Sequence, residues 1–395
     1  MIKRLFSNKL NHYLKLFPVV SVIGPRQAGK TTFIKSELSS WKYFDLEKPS
    51  DFHRIESDIE YFFREYGDKC IMDEAQTLPS LFPFLRSFVD SSRGRKGRIV
   101  LLGSINPLLM KNISESLSGR IGFVEIPTLL FSEIKERLKL NLESFWLKGG
   151  YPEPIKWKIE DHIVWVENYI KTFTERDVFR YNQIDITAQK QIQLLTMIAH
   201  THAKLWNASQ ISSSFGMSYH TINNYIDILE KYFIVRRLMP YFANVGKRLM
   251  KHPKIYFRDT GVLHYLLGID SLDLLRTSPY RGFSFEGLVI ENIIQNLDAM
   301  PNARNEYYFY RTAQGDEIDL LVKTGSKLTA FEIKTSSSVS IRDLSGFQRC
   351  MQHLKIEKGI VIYMGKDDFS LTSNIEVRSA RKYLMKPICE RTLKV

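Results

Sequence analysis

The stretch Gly24-Pro25-Arg26-Gln27-Ala28-Gly29-Lys30-Thr31-Thr32 constrains this chain more than any other. A short apolar run, Val19-Val20-Ser21-Val22-Ile23, precedes it. A segment with helical spacing, through Phe33, Ile34 and Leu38, follows. Strand, glycine-bracketed loop and helix in that order are the local setting of a phosphate-binding loop. Glycines let the backbone turn so that its N–H groups face phosphate oxygens. The helix N-terminus adds positive potential behind them. Lys30 is expected to reach the outer phosphates and Thr31 to ligate Mg²⁺, with Gly24 to Thr32 as the nucleotide-binding stretch. Residues 1 to about 135 alternate apolar runs with helical segments, the pattern of a parallel α/β sheet.

Such a loop needs an acidic partner at the end of a second strand. Cys70-Ile71-Met72-Asp73-Glu74 supplies one. Asp73 would hold the Mg²⁺, and Glu74 would orient or deprotonate the attacking water. A third run, Ile99–Leu102, ends in Gly103-Ser104-Ile105-Asn106. Ser104 and Asn106 are candidates to touch the terminal phosphate. Arg120, in Ser116-Leu117-Ser118-Gly119-Arg120, is a candidate arginine finger acting on a neighbouring subunit.

The pieces GPRQAGKTT, IMDEAQ, GSIN, SLSGR and Gly149-Gly150-Tyr151-Pro152-Glu153-Pro154 together resemble the bacterial and archaeal AAA-type (AAA+) ATPases with a C-terminal DUF4143 domain. The resemblance covers nearly the whole chain. It implies an AAA+ fold, ATP and Mg²⁺. That family typically has two serines after the glycine of the third strand, whereas here Ile105 and Asn106 follow Ser104.

Beyond about residue 138 the texture changes. Residues 139–275 read as a helical lid and winged-helix domain. Asn207–Phe215 and Ser218–Leu229 form a helix–turn–helix about Gly216-Met217. Strand-like runs Phe233–Leu238 and Lys254–Phe257 make a wing. Arg236, Arg237, Lys247, Arg248, Lys251 and Lys254 are expected to give it a phosphate-binding surface. Asn223 and Asn224 are candidates for reading DNA sequence.

Residues 276–395 read as a small, separate α/β unit in the order α, β, β, β, α, β. Asp319 on one strand, then Glu332 and Lys334 on the next, form a D…ExK pattern. Alternation puts Glu332 and Lys334 on one face. Two carboxylates there would share a divalent ion, Lys334 would stabilise charge on phosphorus, and Glu286 would be a further ligand. The set resembles the PD-(D/E)xK nuclease superfamily. Tyr308, Tyr310 and Arg311 are candidate nucleic-acid contacts. A charge cluster with no metal is the alternative reading.

Composition agrees with a polyanion as partner: 56 Lys and Arg against 43 Asp and Glu give a net charge of +13. Cys70, Cys350 and Cys389 show no metal-site spacing, which suits a reducing compartment. No apolar run reaches the roughly 20 residues of a membrane span, and the basic N-terminus reads as a packed helix, so a cytoplasmic protein is expected. The expected function is a Mg²⁺-dependent ATPase that binds and remodels or processes DNA, with metal-dependent cleavage open. The alternative is an ATP-dependent switch whose nuclease-like unit only docks. A homo-oligomer is allowed, between a ring and a monomer.

Overall fold

The computed structural model describes residues 2–92, 94–103, 115–178, 186–242, 252–302 and 304–387. Its N-terminal third is a five-stranded, wholly parallel sheet: β1 (Val19–Ile23), β2 (Lys42–Asp45), β3 (Cys70–Asp73), β4 (Ile99–Leu102) and β5 (Ile121–Glu125), in the order β2-β3-β4-β1-β5. Every residue of β1, β3 and β4 is buried, as befits strands covered by helices on both faces. β1 lies between β4 and β5, with Val19 opposite both Ile99 and Ile121. The helix Ser7–Leu16 covers this sheet with Leu10 and Leu14.

Helices Ala208–Phe215 and Tyr219–Lys231 form the expected helix–turn–helix. Gly216 is left-handed at the turn, and Ser218 caps the second helix through Thr221 N–H at 3.0 Å. The strands that follow, β6 (Val235–Pro240) and β7 (Lys254–Phe257), pair antiparallel. They do not end there. Met239 and Pro240 also pair with Tyr308 and Phe309 of β8 (Asn305–Arg311). The hairpin thereby extends one eight-stranded sheet with β9 (Glu317–Thr324), β10 (Lys327–Lys334), β11 (Gly359–Tyr363), β12 (Phe369–Thr372) and β13 (Ile375–Ser379), in the order β12-β13-β11-β10-β9-β8-β6-β7. The expected separate unit is thus fused through its sheet to the winged-helix hairpin.

The helix Arg281–Asp298 joins the halves. It is buried at Ser284, Phe285 and from Gly287 through Leu297, so no face is left for solvent along most of its length. Phe285, Val289, Ile293 and Leu297 pack in one core with Phe309, Leu320 and Phe331 of the sheet, each such side chain contributing about 1.5–3 kcal/mol. The same helix accepts the Phe131 N–H at Asn292 Oδ1 (3.0 Å) and, at its last residue, Asp298, the Lys9 ammonium on the carbonyl (2.6 Å).

Candidate nucleotide and nuclease-like sites

The loop after β1 is held from behind. A Cβ at Gly24 would lie 2.1 Å from the carbonyl oxygen of Ile126, so only glycine permits this approach. Lys30 folds over the loop, donating to the carbonyls of Gly24 (3.0 Å) and Pro25 (2.7 Å). Burial lowers its pKa to about 8, partly offset by Glu74 and Asp73, so it stays cationic at pH 7. Thr31 Oγ1 donates to Asp73 Oδ2 at 2.9 Å, and Tyr43 donates to the same oxygen at 2.7 Å. β3 thus delivers Asp73 to the first turn of the loop's helix from across β4.

Glu74 follows in a left-handed conformation (φ 51°). Gln76 donates to its carboxylate. Burial raises the Glu74 pKa and Asp73 adds to the effect, while Gln76 and Lys30 oppose it. A carboxylate with a raised pKa is suited to taking a proton from water near neutral pH. Ser104 and Asn106 lie outside the described residues. Arg120 precedes β5 at the end of the strand remote from Gly24, beside Val19, whose N–H it accepts. The intervening strand is about 13 Å long, so Arg120 does not reach the loop of its own chain. It is paired with Asp90 through two bonds of 2.7 and 2.8 Å.

Beside the loop is a cavity of about 510 Å³, walled by Ile2, Arg4, Ala28, Thr32, Phe33 and Pro152 among others. Its volume lies within the range of small-ligand pockets. Arg4 closes one side, bonding to the carbonyls of Ala28 (3.0 Å) and Pro127 (2.7 Å) and to Glu133 (3.0 Å). Pro152 closes the other, 3.6 Å from where a Cβ on Gly29 would sit. The segment bearing Pro152 is itself pinned. Gly150 donates to Asp259 Oδ2 at 2.8 Å and approaches Leu129 so closely that a Cβ would lie 2.2 Å from its carbonyl oxygen. Loop, cavity, Lys30 and the Thr31–Asp73 pair fit a nucleoside triphosphate with Mg²⁺: Gly24–Thr32 would hold phosphates, Thr31 and Asp73 the metal. That metal would neutralise phosphate charge.

Several features here were not read from the sequence: Arg4, Tyr43, Gln76 and Asp259. Nor was an ionic group linking the halves. Glu291 accepts from Arg236 (2.7 and 3.1 Å), Arg258 (2.7 Å) and Gln295 (3.0 Å). Arg258 also pairs with Glu125 at the end of β5. The Arg236–Glu291, Arg258–Glu291 and Arg258–Glu125 pairs join residues far apart in sequence, which no local pattern marks.

The charges assigned to the wing are differently employed. Arg236 is bound to Glu291. Arg237 is held by Asp227 and Glu230 (2.7 Å to each). Lys254 is buried and paired with Glu286 (3.0 Å) and Glu317. Burying an unpaired cation is costly, so each has found a carboxylate. Lys247, Arg248 and Lys251 lie outside the described residues. Asn223 accepts from the Trp206 indole at 3.1 Å, while Asn224 is exposed.

In the C-terminal unit, Asp319 and Glu332 do come together, on β9 and β10. Asp319 accepts the Ile333 N–H at 2.8 Å, and Lys334 pairs with Glu332 at 2.7 Å. Burial pushes the Asp319 pKa well up, reinforced by Glu332 and Glu286. Yet among the described residues no three His, Cys, Asp or Glu side chains are arranged to hold one metal ion. Glu286, the expected third ligand, is engaged by Lys254 and by Tyr256 (2.6 Å). Arg311 pairs with Glu317 at 3.0 Å, and Tyr310 is buried against His353, so neither is a free nucleic-acid contact.

Sheet, loop and acidic pair define a P-loop ATPase of the AAA type. Family models agree along the chain: an AAA domain over residues 16–135, a domain of unknown function (DUF8612) over 139–273 and a domain of unknown function (DUF4143) over 281–383. The chain belongs to the AAA-type ATPases with a C-terminal DUF4143 domain. It is 36% identical over 370 residues to an uncharacterized protein of Mycobacterium tuberculosis, and equally to one of Mycobacterium bovis, covering 93% of this chain and 81% of each relative. Among solved structures it is similar to the Walker-type ATPase PABY2304 of Pyrococcus abyssi (15% identity, 66% of this chain, 94% of that chain, TM-score 0.46). It is also similar to the RuvB Holliday junction branch migration motor of Thermotoga maritima (16% identity, 60% and 90% covered, TM-score 0.32). No helix among the described residues is long and apolar enough to cross a membrane.

Proposed function

We propose that this protein hydrolyses ATP with Mg²⁺ and transmits the nucleotide state to a C-terminal half that binds DNA without cutting it. The observation that carries the first part is the meeting of Thr31 and Asp73 at 2.9 Å with Glu74 adjacent. Asp73 and Thr31 place the metal-binding oxygens at the start of the loop's helix. Lys30 supplies positive charge over the loop. Glu74, released from Gln76, accepts the proton of the attacking water. Arg120 completes such a site in trans when a neighbouring subunit presents it, which implies a homo-oligomer.

DNA as the partner is supported by the +13 charge and the exposed face of the second helix, Tyr219, His220 and Asn224. Binding without cleavage is supported by the engagement of Glu286 with Lys254. The test is ATP turnover with and without duplex DNA, together with DNA binding at moderate salt. Stimulation and binding are expected. Neither occurring would remove DNA from the account.

A second reading, a nucleotide switch that docks a protein partner, is favoured by the internal pairing of Arg236, Arg237 and Lys254. It predicts slow turnover indifferent to DNA.

A further inference from the structure

Four carboxylates lie within electrostatic reach of one another beside the helix Arg281–Asp298 and strands β9 and β10, Glu286, Glu317, Asp319 and Glu332, though no three are arranged to hold a metal ion as they stand. Into them, from β7 of the winged-helix hairpin, comes Lys254, only 4% exposed. Its ammonium lies 3.0 Å from Glu286 and also pairs with Glu317. Tyr256, two residues on and therefore on the same face, donates to the same Glu286 oxygen at 2.6 Å. On the far side Lys334 pairs with one oxygen of Glu332. The other, Oε2, is buried with no hydrogen-bond partner, on a residue 8% exposed.

We propose that Lys254 is the resident cation of this cluster: it takes the place of a divalent metal, keeps the site metal-free and locks the hairpin to the nuclease-like sheet. Buried carboxylates this close cannot all stay charged without a cation among them. An ammonium tethered on β7, at the end of the same sheet, competes at a high effective concentration and needs no free ion. Without Lys254, four carboxylates would face only Lys334 and Arg311. That leaves the carboxylates short of positive charge, and Glu332 Oε2 is an oxygen already lacking a partner. The lock also explains why β6 and β7 continue the sheet instead of standing free.

The test uses the full chain without nucleotide, titrated with Mn²⁺ and followed by electron paramagnetic resonance and thermal melting. The wild type is expected to show no Mn²⁺ site that depends on Asp319, and a melting temperature indifferent to Mn²⁺. Lys254→Met is expected to gain one Mn²⁺ site and to melt higher in its presence, both effects disappearing in Lys254→Met/Asp319→Asn. A folded Lys254→Met that binds no more Mn²⁺ than wild type overturns the proposal. Should that variant not fold, the wild type decides. A Mn²⁺-induced rise in melting temperature that Asp319→Asn abolishes overturns the proposal, and indifference shared with Lys254→Arg supports it.

Discussion

Glu291→Gln removes one charge from the ionic group that ties the two halves together, while keeping the side chain's shape. Burial alone would raise the Glu291 pKa, but Arg236 and Arg258 overcome this and hold it near 2, against a usual value near 4.5. That shift corresponds to about 3 kcal/mol favouring the charged form in the folded state. The side chain is only 11% exposed, so solvent screening takes little from it. Because the folded pKa lies below the unfolded one, this stability is present above about pH 4.5 and is lost as pH falls towards 2. Substitution at pH 7 also leaves two buried guanidinium groups short of a counter-charge, in line with the roughly 3–5 kcal/mol seen when one partner of a buried pair is removed. For a cooperative unit of 150–250 residues, 3 kcal/mol is about 6–12 °C in melting temperature. Calorimetry at pH 7 measures it, with Glu306→Gln, an exposed partner of Lys323, as a control expected to leave the transition in place. A shift under about 2 °C for Glu291→Gln would refute the reasoning that this group fastens the halves.

Burial holds His162 near pKa 4, His202 near 3 and His264 near 4, so all three fold neutral. The unfolded chain therefore takes up protons first, and stability complete above about pH 6.5 falls as pH drops towards 4, by about 2 kcal/mol per histidine at pH 5. Urea midpoints should be lower at pH 5 than at pH 7.5, and equal midpoints would contradict this. Asp259→Ala removes a helix cap and strands the buried Gly150 N–H, at a cost of about 1–3 kcal/mol. Because Gly150 positions Pro152 against the loop, ATP affinity measured by calorimetry should fall about tenfold. Unchanged affinity would show that this segment does not shape the nucleotide site.

The candidate nucleotide site was legible because its residues are local in the chain. Gly24 to Thr31 carry their geometry in the chain, and Asp73-Glu74 ends an apolar strand whose place in a parallel sheet is strongly limited. The D…ExK pair was legible for the same reason, as adjacent strands of a hairpin. Lys254, Arg236 and Arg258 were not. A basic residue on a strand looks alike in sequence whether it faces phosphate or a carboxylate tens of positions away. Nor does sequence reveal that Met239 pairs with Tyr308, which fuses the hairpin to the C-terminal sheet. The pinning of Gly150 by Asp259 joins residues 109 apart, which no local pattern marks.

The central claim, that Glu74 activates water for ATP hydrolysis, is tested most directly by Mg²⁺-dependent turnover of Glu74→Gln beside the wild type, with ATP binding measured on both. The account predicts retained binding and a loss of at least about a hundredfold in kcat. Turnover at the wild-type rate would contradict it.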